Sequence, residues 1–324
     1  MTTPSRTLRS RRSNLAVPGS NPKMLEKAKG LPADQVFLDL EDSVAPIAKA
    51  DARKNVVAAL NEGGYGDKVR VVRVNDWTTQ WTYRDVIEVV ENAATVSRLS
   101  GGVFDVTIGP LVVLWQMRLK EGAVPSDEEI ARVRSLVNYR NIVVDKKAST
   151  IFLKKAGMIM DFGGMKGYMA DRVKDLFLKR GIRNAVIAVA GDIWVLGRRE
   201  DGKPWRIGVQ HPREQDKTLA VLDLSDKYIS TSGDYERFVI KENKRYHHII
   251  DPRTGKPSKG TISATLIGDK GAVIDPLTKV PFILGPDEGM KILKQLGAEA
   301  IIVDDQGKVY VTDGIKNLLD QPKG

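Results

Sequence analysis

The chain has 324 residues, 42% hydrophobic and 28% charged, the composition of a soluble globular protein with room for one large domain or two ordinary ones. It contains no cysteine, which excludes disulfides, thiolate catalysis and cysteine-ligated zinc, and no apolar run is long enough to span a bilayer. A net charge of +10 fits a solvated basic surface first and an anionic dinucleotide next; aromatics are only 6% and are not interleaved with basic residues, so no nucleic-acid groove is expected.

The amino terminus carries Arg6, Arg9, Arg11 and Arg12 without an apolar core and is no secretory signal. SNLAVPGSNPKMLEKA, VFLDLEDSVAP, a helical stretch from Lys49 to Asn61 and KVRVVRVND then switch between periods of about 2 and about 3.6. That alternation predicts a β/α segment, and it breaks near residues 90–100. In VPSDEEIARVRSLV, Ser126 and Glu129 form a capping box that opens an amphipathic helix. NIVVD and TIFL read as short strands. The run Met158–Met160 leads into Asp161 and the paired Gly163 and Gly164, and a helix is predicted from Lys166 to Arg180, closed by Gly181. NAVIAVAG, IWVLG, WRIGVQ, LAVLDL and TISATLIG are strand-like. A helix beginning near Asp275, another from Asp287 to Leu296, and the strands AIIVDD and VYVT complete the chain. Strands outnumber helices without regular alternation, so the class is α+β with a mainly antiparallel sheet.

Three stretches carry possible chemistry. Glycines between a strand and a helix, as after Asp161, make either a tight turn or a place where backbone amides meet an anion. Asp275 before Pro276 reads as a helix N-cap with proline at the first position, or as an oxygen ligand for Mg²⁺. Of three histidines, His247 and His248 are adjacent, and strand alternation sends them to opposite faces. His248, near Asp251, Arg253 and Thr254, is a general-base candidate or a structural residue. Asp192 and Ser232-Gly233-Asp234 read by default as turn formers.

GGVFDVTIGPL, DFGGMKGYMADRVKD, AGDIWVLG, STSGDYERF and HHIIDPRTGKP, in that order, resemble the FAD:protein FMN transferases (the ApbE family) across residues 94–324. The resemblance implies an ApbE-like flavin transferase fold. It also implies Mg²⁺-dependent transfer of the FMN moiety of FAD to a Thr or Ser hydroxyl of an acceptor flavoprotein, with release of AMP. On this resemblance Val103, Phe104, Asp105, Asp161, Lys166, His248 and Ile249 contact FAD. Asp275, Thr278 and the backbone at Gly164 hold Mg²⁺, and His248 and Asp275 are catalytic. Two departures stand out: Lys279 occupies the place of the family's ligand threonine, and GGMKG is one residue shorter than the family's motif. Members are usually exported, often as lipoproteins; this chain shows neither signal nor lipobox cysteine, so a cytoplasmic location is expected.

Residues 1–93 are different in kind. FLDLEDSV and Arg73 resemble the citrate lyase β-subunit and malyl-CoA lyase family, which implies a partial TIM-barrel-like segment in which Glu41, Asp42 and Arg73 are remnants of an active site. A fusion or chimera is the organisation this suggests. The alternative functions are a CoA-ester lyase or aldolase, or an FAD-binding protein without transfer activity.

Overall fold

The computed structural model describes residues 13–73, 83–148, 150–163, 165–214, 216–241 and 244–316, and Gly164 lies outside them. The chain divides into two compact units, residues 1–86 and 87–324.

The first unit is a small parallel β/α layer. Strands β1 (Asn14–Pro18), β2 (Gln35–Asp39) and β3 (Val69–Arg73) pair in the order β1-β2-β3, joined by helices α1 (Pro22–Gly30) and α2 (Lys49–Glu62). Asn21 caps α1 by accepting from the Met24 amide, with Pro22 pre-set at the first helical position. Val36 and Leu38 of β2 pack with Leu25, Ala52 and Val56 into the unit's own core. At the strand ends Asp39 is 3% exposed and takes Arg73 Nε at 2.8 Å and Nη2 at 2.6 Å, while Asp42 takes Nη1 at 2.8 Å. The guanidinium holds the Asp39 carboxyl far below the usual carboxylate range.

In the second unit α3 (Tyr83–Leu99), α4 (Gly109–Lys120) and α5 (Asp127–Arg134) precede the hairpin β4 (Ile142–Asp145)–β5 (Thr150–Leu153). The capping box is present: Ser126 Oγ accepts from the Glu129 amide at 3.2 Å and the Glu129 carboxylate accepts from the Ser126 amide at 2.9 Å. Helix α6 (Lys166–Lys179) leads to β6 (Ala185–Val189), β7 (Asp192–Leu196), β8 (Trp205–Gln210), β9 (Thr218–Leu224) and β10 (Lys227–Gly233). Two small hairpins follow, β11 (Phe238–Lys241) with β12 (Lys244–His247), and β13 (Ile250–Asp251) with β14 (Lys256–Pro257). Then come β15 (Thr261–Gly268), α7 (Gly271–Leu277), α8 (Lys279–Leu284), α9 (Pro286–Gln295), β16 (Glu299–Asp304), β17 (Val309–Val311) and α10 (Asp313–Lys316).

Six strands form an antiparallel sheet in the order β17-β16-β15-β10-β7-β6. Every residue of β15 is buried, because both faces of the sheet are covered. Alternation sends Ala264, Leu266, Ala300 and Ile302 to one side, against Ile274, Leu277, Phe282 and Leu293 of the helices. Ile267 and Ile301 face the other side, against Val209, Leu222 and Leu224 of the β8–β9 hairpin. The α+β, mainly antiparallel class expected from the strand pattern is what the chain adopts, with the parallel β/α layer ahead of it.

One local expectation fails. The Asp275-Pro276 pair does not open a helix: α7 begins four residues earlier, at Gly271, and the proline lies inside it. The reason is tertiary. The Asp171 carboxylate of α6 accepts from the Gly271 and Ala272 amides, both at 2.9 Å, and so supplies the N-terminal acceptor that the local sequence lacks. Helices α6 and α7 come close enough for this only because Gly167 and Gly271 face each other, and a Cβ on either would collide with the other's backbone.

Gly167→Ala should therefore destabilise the second unit by about 1–3 kcal/mol, the usual cost of forcing atoms into a packed contact. Gly208→Ala, where a new Cβ meets only Thr218 at ordinary contact distance, is the control and should change little. Urea unfolding of the two variants checks the contrast; equal effects would mean that the helix contact can relax.

Candidate active site

Opposing carboxylates tie α6 and α7 together. Asp171 caps α7, and in return Asp275 of α7 accepts from the Gly167 amide at the start of α6, Oδ2 to nitrogen 3.1 Å. Asp275 is fully buried and Asp171 is 8% exposed. Trp194 adds an indole N–H to Asp171 Oδ1 at 2.8 Å. Carboxylates this far from water require such partners.

Around Asp275 the charges are dense. Lys279 places Nζ 3.1 Å from Asp275 Oδ1 and 3.0 Å from its backbone carbonyl. The Thr278 hydroxyl bonds the same carbonyl at 2.6 Å and lies 2.7 Å from Ser232 Oγ on β10. Asp192 opens β7 only 1% exposed; its Oδ1 receives Lys166 Nζ at 3.0 Å and its Oδ2 the Tyr228 hydroxyl at 2.7 Å. Burial raises the Asp192 carboxyl above its usual value, and the nearby charge of Asp275 pushes it the same way. The Tyr228 phenol is raised strongly, by burial first and then by Asp275 and Asp192, so it stays a neutral donor. Asp192 is thus no turn former, and Asp234 is likewise buried, held bidentate by Arg213 at 2.6 and 2.8 Å.

Beside this cluster lies an apolar cleft lined in part by Phe104, Asp161, Phe162, Met165, Tyr168 and Pro276. Its wall is built by joining two loops: the Asp161 amide donates to the Val106 carbonyl at 2.7 Å, and Ile108 bridges to Ile159. Asp161 Oδ1 accepts from the Gly163 amide at 2.9 Å, an Asx-type turn that shapes the glycine loop. Val103 and Phe104 are buried in the core next to the cleft. Asp105 has a structural occupation: Oδ1 takes the Thr107 amide and hydroxyl at 2.8 and 2.7 Å, and Oδ2 takes the Tyr139 amide at 2.9 Å.

The two histidines have different partners, although β12 ends at His247 and His248 lies just beyond the strand. His247 is buried, with Nε2 2.9 Å from the Ser258 carbonyl. His248 is half-buried, with Nδ1 3.3 Å from the Arg237 carbonyl. Burial pushes the His248 imidazole down to about 4, with the charges of Lys279 and Arg237 acting in the same direction. It is therefore neutral near pH 7 and able to accept a proton. Ile249 is buried and its carbonyl receives the Ser258 amide at 3.0 Å.

The fold thus brings Lys166, Asp275, Thr278 and His248 into one region with Asp192, Tyr228 and Lys279, and sets Asp161 and Phe104 on the adjoining cleft. Tyr228 and Asp171 were not read from sequence, because each acts through a partner distant in the chain; the Lys279 contact with Asp275 is local, four residues along the chain. Gly164 lies outside the described residues. The remaining donors do not fit Mg²⁺ as arranged. Both Asp275 oxygens are occupied, one by an ammonium, and the Thr278 hydroxyl is turned to Ser232 and the Asp275 carbonyl. A divalent ion on Asp275 Oδ1, at the ~2.1 Å that magnesium requires, would lie no more than about 5 Å from the Lys279 ammonium and be repelled by roughly 7 kcal/mol at an effective dielectric near 20. Among the described residues no cluster of three or more His, Cys, Asp or Glu side chains is arranged to hold a metal.

The family model described as the ApbE family matches residues 48–302, a span that begins inside the first unit. The chain is 30% identical over 243 residues to the FAD:protein FMN transferase of Klebsiella pneumoniae (strain 342), covering 74% of this chain and 73% of that protein. It is also 30% identical to the FAD:protein FMN transferase of Vibrio cholerae, covering 72% of each. Among solved structures, the ApbE protein of Thermotoga maritima superposes with a TM-score of 0.67 at 30% identity, over 75% of this chain and 79% of that one. The apo flavinyl transferase ApbE of Pseudomonas stutzeri gives a TM-score of 0.64 at 29% identity, over 72% and 74%.

The depressed imidazole has a consequence for stability. Between pH 6.5 and about 4 the unfolded chain binds a proton at His248 that the folded chain refuses, so this contribution is complete above pH 6.5 and is lost as pH falls toward 4. His248→Gln should flatten the fall in unfolding free energy across that window, by on the order of 3 kcal/mol relative to the parent. Urea unfolding at stepped pH reads this out, and parallel curves would mean that the imidazole titrates normally.

Proposed function

The chain belongs to the ApbE family and acts as an FAD:protein FMN transferase, and we propose that His248, Lys166 and the Asp275 region carry the reaction. FAD is the donor substrate and the acceptor is a flavoprotein offering a threonine or serine hydroxyl. The acceptor oxygen attacks the phosphorus on the riboflavin side; the bond from that phosphorus to the bridging oxygen breaks, and AMP leaves with the electron pair. The acceptor's proton passes to the neutral imidazole of His248. Such a transfer depends on positioning and charge stabilisation more than on covalent help from the protein.

The observation that most supports this assignment of roles is the convergence of Lys166, Lys279 and a neutral histidine beside an apolar cleft. Phe104, Phe162 and Tyr168 supply aromatic side chains at a cleft that would have to open to take a flat ring system, and the lysines suit a diphosphate. Asp161 and the backbone of residues 103–106 would line the ring site, with Ile249 anchoring the segment that carries His248 through the Ser258 amide. Asp105 would act through the loop it holds. Mg²⁺, which the family resemblance implies, is assigned no step, because Lys279 already occupies Asp275.

For the first unit we propose a structural part. Arg73 is bound to Asp39 and Asp42, and the family match runs from residue 48 into the second unit, so the CoA-ester lyase alternative draws nothing from these comparisons. No helix among the described residues is long and apolar enough to cross a membrane.

Incubation with FAD and an acceptor flavoprotein domain, followed by intact mass, should show the acceptor gaining one riboflavin-phosphoryl group as AMP appears. His248→Ala should lower the turnover by ~10²- to 10⁴-fold, the range for loss of a general base, with a much smaller change in FAD affinity. Undiminished transfer by that variant would remove the histidine from the mechanism, and FAD binding without any transfer would favour the inactive flavin-binding alternative.

A further inference from the structure

We propose that Lys279 is the resident cation of the flavin site: held on Asp275, its ammonium takes the place of a divalent metal, so that FAD binds without added metal. This rests on the transferase reading above and deepens it.

A fully buried carboxylate needs a counter-charge, and the one ion pair that Asp275 makes among the described residues is with Lys279. The pairing is built rather than incidental. Asp275 lies in the last turn of α7 and Lys279 opens α8, four residues on, so the two are placed to meet one helical turn apart. Two donors of the ammonium reach Asp275, at Oδ1 and at the backbone carbonyl, and the lysine side chain is only 18% exposed. An ammonium carries three protons, so its contacts with Asp275 use two. The neighbouring hydroxyl that could have served as a ligand, Thr278, points instead to Ser232 and the Asp275 carbonyl. The charge of Lys279 also acts on His248, so the ammonium lies within electrostatic reach of the base. Lysine binds phosphate as a point charge, and an FAD diphosphate entering between the cleft and His248 would meet it there. A bound lysine also differs from a bound metal in one measurable way: a chelator cannot remove it.

The test is an FAD titration followed by quenching of flavin fluorescence, in EDTA and in excess magnesium, with the parent chain, Lys279→Thr and Lys279→Ala. The parent should bind FAD with the same affinity, within ~2-fold, in both conditions, a difference of less than half a kcal/mol. Lys279→Thr should lose ~10-fold or more in EDTA and regain it in magnesium, because the hydroxyl restores an oxygen donor where the ammonium stood. Lys279→Ala should lose affinity in EDTA and recover less. Parent binding that vanishes in EDTA and returns with magnesium overturns the inference while leaving the transferase reading intact. Undiminished FAD binding by folded Lys279→Thr in EDTA also overturns it. Absence of FAD binding by the parent in both conditions brings down the transferase reading and this inference with it. Should Lys279→Thr fail to fold, as circular dichroism would show, the two parent titrations decide the matter alone.

Discussion

The close contact of Gly167 with Gly271 governs the second unit. Without side chains at these two positions, α6 and α7 approach backbone to backbone, and each carries a carboxylate to the amino-terminal amides of the other. Helix amides are unsatisfied at their first turn and must find acceptors. Here the acceptors double as the charged groups of the site. Asp275 is held in place by the Gly167 amide, so the residue that organises the cation is itself fixed by the start of the helix bearing Lys166. A widened gap between the helices would orphan amides on both and uncouple Asp275 from the glycine loop.

Charge balance then fixes what the site can hold. Asp192 and Asp275 are both buried and close enough to raise the Asp192 carboxyl, and a lysine sits on each. Such pairs do little for stability, since desolvation offsets their attraction, but removing either partner leaves a buried charge uncompensated. They hold positive groups in a set geometry beside the apolar cleft. The neutral His248 belongs to the same economy: a second nearby cation would cost more than the site offers, and burial with Lys279 keeps the imidazole unprotonated. The first unit solves a similar problem independently, with Arg73 satisfying Asp39 and Asp42 at the ends of a parallel sheet.

Local chemistry was legible in the sequence wherever neighbours along the chain supplied the partners. The Ser126–Glu129 capping box, the α6 stop at Gly181 and the alternating strands all follow from residues a few positions apart. Five ordered motifs sufficed to identify the family over the second unit. Asp275 shows the limit. Followed by proline, it has every local mark of an N-cap, yet it stands near the end of α7 because Asp171, a hundred residues away, provides the cap. Asp192 likewise reads as a turn residue in AGDIW and is instead a buried strand residue between Lys166 and Tyr228.

The sequence by itself determined the class and most strands and helices, because these depend on period, composition and spacing, while the candidate residues and the lysine in place of a hydroxyl ligand came from the resemblance of its ordered motifs to the family. Only the tertiary structure decided what those residues do to one another. It set Lys279 on Asp275 rather than out in solvent, turned Thr278 toward Ser232, and gave Asp105 to a loop. The physical reason is that burial and charge are properties of the folded neighbourhood: a carboxylate has the same letter in a turn, at a helix cap or beside an ammonium, and, the local Asp275–Lys279 pair apart, its partners come from segments whose approach no local pattern encodes.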